Sequence, residues 1–236
     1  MALKEKKSAI EAMFQVGAHF GQNRSRRHPS AKPYIFGIKN NIEIFDLEKT
    51  ESALEKAKKF VASVATAGRQ ALFVAGKSEA IAVVKAAASK ANQPMVAGRW
   101  VGGTLTNFAH IRKRVEKYQN RLKEKEKGEL AKYTKKERLL IDKEIAKLEL
   151  LFGGIVSMRE KPGVLIVVDP KKEFTAVEEA RQTDVPVVAV ASSDCDLSLV
   201  DYVIPANDSG ARSIAFFIDE LARAYAEAGT PGPETK

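Results

Sequence analysis

The sequence predicts an α/β fold: a mostly parallel sheet wound with helices on both faces, interrupted by an antiparallel coiled-coil helical hairpin. Three observations carry this expectation. Strand-like stretches alternate with helix-period segments on both sides of the middle of the chain, the pattern that builds parallel sheets covered by helices. Val164-Leu165-Ile166-Val167-Val168 is apolar without alternation, as a strand buried on both faces must be. Between the two halves lies a charged stretch, roughly residues 104–160, bearing two apolar stripes at spacings of three and four.

Each element has its own signal. Residues 33–38 and 42–45 form a β-hairpin around Asn40-Asn41, because Asn tolerates the positive φ that such turns require. Leu54, Ala57, Val61 and Val64 fall on one face of a helix over 48–67. Residues 72–75 are a short buried strand, 78–91 an alanine-rich helix and 95–97 a third strand. In the insert, Leu105, Phe108, Ile111, Val115, Tyr118 and Leu122 form one stripe; Ile141, Ile145, Leu148 and Phe152 form the other. Thr134-Lys135-Lys136-Glu137 fits a capping box, which starts the second helix near Lys135 after a turn over 123–133 containing Gly128. Beyond the insert come a strand at 164–168, a helix at 174–182, strands at 187–190 and 202–204, and a closing helix at 211–227. The expected division is a discontinuous sheet domain, 10–103 and 158–228, a hairpin at 104–157, and a Gly/Pro-rich flexible tail at 229–236.

A chain of 236 residues buries roughly 70% of its unfolded surface and needs no staples. Cys195 is the sole cysteine, and His19, His28 and His110 are scattered, so neither a disulfide framework nor zinc-ligand spacing is present. Residues 1–10 lack the apolar core of a signal peptide, and the longest apolar runs are strand-length, which argues against a membrane span. The cytosol is the expected compartment.

Charge is the strongest functional signal. The net charge is +9, and residues 99–161 alone hold seventeen Lys and Arg against nine Asp and Glu. Residues 20–39 hold Arg24, Arg26, Arg27, Lys32 and Lys39 with no acid, whereas residues 162–236 hold thirteen acids against six bases. This asymmetry favours an oriented binder of polyanions over a catalyst. Within Gln22-Asn23-Arg24-Ser25-Arg26-Arg27-His28-Pro29, guanidinium forks match phosphate oxygens, and Asn and Ser add sugar and phosphate contacts. Arg112-Lys113-Arg114 repeats the signal more weakly. Gly102-Gly103 permits close backbone approach or a sharp entry into the helix.

Other motifs read as bland. Gly76-Lys77-Ser78 follows a strand and opens a helix, but the first glycine of a phosphate loop is replaced by Ala71, so Lys77 is expected to be a surface cation. Asp169, Asp194, Asp196 and Asp201 stand at strand ends, where α/β folds gather ligands. Asp169, Asp194 and Asp196 could serve a Mg²⁺-dependent phosphoryl-transfer enzyme, yet no base, nucleophile or glycine-rich loop accompanies them, and Asp is a common helix cap. His19 is expected to be packed or hydrogen-bonded.

Several motifs occur in order: Ala18-His19-Phe20-Gly21, Lys32-Pro33-Tyr34-Ile35-Phe36-Gly37, Asp46-Leu47-Glu48-Lys49-Thr50, and Arg99-Trp100-Val101-Gly102-Gly103-Thr104-Leu105-Thr106-Asn107-Phe108. They continue with Thr134-Lys135-Lys136-Glu137, Gly153-Gly154-Ile155, Val167-Val168-Asp169-Pro170, Val185-Pro186-Val187-Val188-Ala189 and Val203-Ile204-Pro205-Ala206-Asn207-Asp208. Over residues 10–218 the chain resembles the bacterial-type ribosomal protein S2 family. The resemblance implies a Rossmann-like sheet with a coiled-coil hairpin, seated on small-subunit rRNA between head and body. It also implies neighbouring small-subunit proteins as partners, help in docking ribosomal protein S1 during translation initiation, and no catalysis. Gln22 stands where the family usually has a second His, and Arg27 or His28 where it has an aromatic. Ala97-Gly98 replaces Asn-His or Asn-Gln, and Gly76 replaces the Thr before the strand-end Lys. The expected rRNA contacts are Arg24, Arg26, Arg27, Lys32, Arg99, Asn107, Arg112 and Lys113. No cofactor, metal, membrane or small-molecule substrate is expected. The rival readings are the phosphoryl-transfer enzyme and an adaptor that binds protein through its hairpin.

Overall fold

The unbroken apolar runs fold into a five-stranded parallel sheet with helices on both faces. The computed structural model describes residues 2–128, 130 and 133–229, with side chains from residue 9 onward. The chain runs α1 (Ala2–Gln15), β1 (Phe20–Asn23), β2 (Ile35–Lys39), β3 (Ile42–Phe45), α2 (Leu47–Thr66), β4 (Ala71–Ala75), α3 (Ser78–Lys90) and β5 (Met95–Ala97). It continues through α4 (Phe108–Glu126), α5 (Lys135–Phe152), β6 (Val164–Val168), α6 (Phe174–Gln182), β7 (Val187–Ala191), β8 (Tyr202–Pro205) and α7 (Ala211–Gly229). Residues 230–236, most of the expected tail, lie outside the described residues.

The parallel strands lie in the order β5-β4-β6-β7-β8, a doubly wound arrangement whose switch point falls between β4 and β6. Alternation of side chains divides the core in two. Ala71, Phe73, Ile166, Val168, Val188 and Val190 face α2, α3 and α7. Leu72, Val74, Leu165, Val167, Val187 and Ala189 face α4, α5 and α6. A second, antiparallel sheet, β1-β3-β2, caps one end. Its turn is as expected: Asn40 and Asn41 take φ of 51° and 62°, the left-handed pair that matches strand twist. Hydrogen bonds hold this sheet to the loops beyond β7 and β8. Gln22 N–H donates to Ser193 Oγ (3.0 Å), His28 N–H to Ser193 O (2.8 Å) and Asn207 N–H to Ala18 O (3.0 Å).

Three expectations change. The arginine-rich stretch, given no element in the sequence reading, follows a strand, β1, and is folded into 3-10 turns at Arg24–Arg26 and Pro29–Tyr34. Phe20–Asn23 has no alternation of its own and becomes a strand only by pairing with β3. Helix α1, given no element in the sequence reading, packs on α2 through residues including Met13. The first hairpin helix starts at Phe108 rather than 104, because residues 102–107 form turns. It then runs to Glu126, four residues into the expected turn; Glu129, Ala131 and Lys132 of that turn lie outside the described residues.

α4 and α5 pack against each other, with Lys117–Glu144 and Lys125–Asp142 ion pairs across the seam. Ile111, Val115, Tyr118, Ile145, Leu148 and Phe152 of the two stripes are buried in the same apolar cluster as Leu72 and Val167 of the sheet. The capping box forms: Glu137 N–H donates to Thr134 Oγ1 (3.4 Å) and Thr134 N–H to Glu137 Oε2 (2.9 Å). Thr134→Ala is expected to cost about 1 kcal/mol in urea unfolding and to speed amide exchange in the first turn of α5.

Candidate nucleic-acid interface

The carboxyl ends of the parallel strands carry Gly76-Lys77 after β4, Arg99 after β5, Asp169 after β6, residues 192–196 after β7 and residues 206–208 after β8. The basic segments are anchored along this one edge. Arg99 stands at the β5 end, and the 24–32 stretch leans on the loop after β7, three strand spacings or roughly 14 Å away.

Arg24, Arg26 and Lys32 are exposed, and none has an ion-pair partner among the described residues. Asn23 caps the first turn by accepting from Ser25 N–H (3.0 Å), which fixes the backbone that presents the two arginines. Arg27 is different. Its Nη1 lies 3.2 Å from Oε1 of Glu43, a fully buried carboxylate with which it forms an ion pair but no hydrogen bond. Its charge is therefore committed largely within the chain. Arg112 likewise donates to the Met158 carbonyl (2.9 Å), whereas Arg99, Asn107 and Lys113 are exposed.

The run from Arg99 to Phe108 is organised by a residue that the sequence reading passed over. Glu179 of α6 is buried, and its carboxylate accepts from Trp100 Nε1–H (3.0 Å), Gly103 N–H (2.7 Å), Leu105 N–H (2.9 Å), Thr106 N–H (3.2 Å) and Thr106 Oγ1–H (3.1 Å). Gly103 takes φ of 89°, which turns the chain so that these amides converge. Burial pushes the Glu179 carboxyl up, but the hydrogen bonds from Trp100, Leu105, Gly103 and Thr106 outweigh it and hold the group below the ordinary carboxylate range. A signal existed in the sequence: Glu179 shares a helical face with buried Ala176 and Ala180, where an unpaired carboxylate would be costly.

Lys77 also departs from the expectation. It is not a surface cation; its ammonium bridges Asp169 Oδ2 (2.8 Å) and Asp208 Oδ1 (3.0 Å) across the switch point. Burial works against the Lys77 charge, but the two carboxylates prevail and raise its pKa. Asp208 is 1% exposed; burial drives its carboxyl up to about 6, against the pull of Lys77 and with the help of Asp169. The Lys77 shift favours a fully charged cluster and the Asp208 shift a protonated one; one lysine cannot satisfy two buried carboxylates, and the nearly complete burial of Asp208 is what favours its protonated form.

The three aspartates of the enzyme reading do not converge as one set of ligands: Asp169 (3.6 Å) and Asp194 (4.0 Å) both accept from the Cys195 thiol, but each carboxylate is engaged elsewhere and Asp196 is not part of the group. Asp194 pairs with Lys171 (2.8 Å), and Asp196 caps a 3-10 turn by accepting from Ser198 N–H (3.0 Å). Asp169, Cys195 and Asp208 do place donor atoms within 4.8 Å of one another. Lys77 already stands between the carboxylates, however, and burial beside Asp169 raises the Cys195 thiol far above the range of a thiolate ligand. His19 is packed between Phe14 (4.4 Å between centroids) and Phe20 (4.0 Å), and burial lowers its pKa. No described helix is long and apolar enough to cross a membrane.

A family model described as ribosomal protein S2 matches residues 13–228. The chain belongs to the ribosomal protein S2 family. The similar relatives include small ribosomal subunit protein uS2 of Roseiflexus sp. (strain RS-1), 44% identical over 220 residues, which span 93% of this chain and 84% of the relative. The protein of the same name from Maridesulfovibrio salexigens is 39% identical over 227 residues, 96% of this chain and 88% of its own length. That from Chlorobium chlorochromatii is 41% identical over 213 residues, 90% and 85% respectively. The S2 family is structural rather than enzymatic, which disposes of the phosphoryl-transfer reading.

Two outcomes are expected. Glu179→Gln places an amide N–H₂ against N–H donors and is expected to cost about 3 kcal/mol in urea unfolding. In the parent chain the Glu179 contribution is fully present above the unfolded carboxylate value of about 4.3 and is lost as pH falls through the depressed folded value. Asp208 acts in the opposite sense. Its contribution is fully present below the unfolded value of about 3.9 and is lost as pH rises through about 6. Urea midpoints of Asp208→Asn should therefore decline less than those of the parent between pH 4 and pH 7.

Proposed function

We propose that the chain is a structural component of the small ribosomal subunit, held by small-subunit rRNA along the carboxyl edge of its sheet and the base of its hairpin. The observation that carries this reading is the division of the cations. Arg24, Arg26, Lys32, Arg99 and Lys113 are exposed without ion-pair partners among the described residues, whereas Arg27, Lys77 and Arg112 are engaged inside the chain. Exposed Asn107 is the remaining contact of the proposed set. Unpaired guanidinium and ammonium groups on a rigid edge suit phosphate contacts that position rather than read sequence. The sheet halves, 10–103 and 158–228, act as the seat and the 104–157 hairpin as the extension, with neighbouring small-subunit proteins beside them.

The reading includes support of translation initiation by helping to dock ribosomal protein S1. A surface of the right kind exists for a protein partner: Phe36, Ile38 and Ile42 of the small sheet are 79%, 44% and 39% exposed.

Filter binding of the pure chain to small-subunit rRNA over a salt series tests the loop. The doubly substituted Arg24→Gln/Arg26→Gln chain should bind more weakly, with the log–log salt slope reduced by about 1.5. An unchanged slope would remove the loop from the interface.

A further inference from the structure

The first turns of α4 and the last turns of α5 enclose, with Val101–Gly103, a groove of about 610 Å³. That lies within the roughly 300–1,000 Å³ of pockets that take small ligands or single groups. Val101, Ile111, Leu148, Leu151 and Phe152 make its apolar walls, and Asn107, His110, Arg114 and Lys147 stand around it. Glu144 is the only acid among its lining residues, and its charge is engaged by Lys117. Arg114 and Lys147 have no ion-pair partner among the described residues. The Asn107 side chain occupies the N-cap position of α4 but makes no capping hydrogen bond.

Gly102 adds an independent observation. A Cβ placed there would meet nothing within 4 Å, and its φ lies outside the left-handed region, so neither packing nor backbone conformation within the chain calls for glycine. Gly103 beside it differs, since its positive φ does call for glycine. Gly102 leaves the mouth of the groove open to something outside the chain.

We propose that this groove receives one unstacked nucleotide of single-stranded RNA. The base lies against the apolar walls and the His110 ring, and the flanking phosphates meet Arg114 and Lys147. Apolar contact with a base face beside cations is the chemistry by which proteins hold unpaired nucleotides, and a duplex with its bases stacked inside could not enter. The charge around the groove excludes a basic peptide as the occupant. The inference rests on the rRNA-binding reading and names the kind of RNA element that this part of the interface takes.

The test uses the full chain with a single-stranded RNA hexamer carrying 2-aminopurine at its centre, and a blunt RNA duplex of equal length as control. Binding should change the 2-aminopurine emission, and the single strand should bind roughly tenfold tighter than the duplex. Gly102→Leu fills open space and should keep the parent melting temperature while weakening the hexamer roughly tenfold. Arg114→Gln/Lys147→Gln should weaken it similarly. Unchanged emission, or a Gly102→Leu chain that binds the hexamer like the parent, overturns the groove assignment. If small-subunit rRNA still binds in that case, only the groove is lost; if the parent chain fails to bind that rRNA at all, the rRNA reading falls as well.

Discussion

One buried carboxylate joins the two parts of this molecule. Glu179 reaches from a helix of the sheet domain to the loop that leads into the hairpin and accepts from five donors. Three of those are consecutive or near-consecutive backbone amides, the kind of group left without a partner where a chain enters a helix. An anion placed there satisfies them together, and the Trp100 indole closes the arrangement over the same oxygen that Gly103 uses. Through this contact the direction in which α4 leaves the sheet is set by α6, seventy-odd residues away in sequence. The apolar continuity of the hairpin base with the sheet then makes the direction rigid.

The carboxyl edge follows from the same economy of partners. Doubly wound sheets bind ligands at the switch point, and here that point is closed by Lys77 between Asp169 and Asp208. The acidic final third of the chain is partly neutralised at home: Asp194 by Lys171, Asp219 by Lys90 and Glu220 by Lys58. The cations unpaired among the described residues, Arg24, Arg26, Lys32 and Arg99, are displayed along this edge where backbone turns are pinned. An edge whose centre is filled and whose flanks are cationic suits a long polyanion better than a small substrate.

Much of the fold was legible because its signals are local. The Asn40-Asn41 turn, the Thr134 cap, the unbroken strand at 164–168 and the two apolar stripes each declare themselves within a few residues. The elements that were missed depend on distant partners. β1 is a strand only because β3 lies beside it, and the turns before α4 are held by Glu179, which captures the Gly103, Leu105 and Thr106 amides. The roles of Lys77, Arg27 and Arg112 were hidden for the same reason: a cation's availability depends on whether the fold brings it a carboxylate or carbonyl, which spacing along the chain does not reveal. The basic character of the two segments was therefore readable, while the split between displayed and internally engaged charges was not.

The account is tested most directly by sucrose-gradient sedimentation of tagged parent chain in lysate across a salt series, with the RNA of each fraction identified. Co-migration with the small subunit and its rRNA at moderate salt, with release as salt is raised, is the expected result. A chain that sediments free of rRNA at every salt concentration, low salt included, would contradict it.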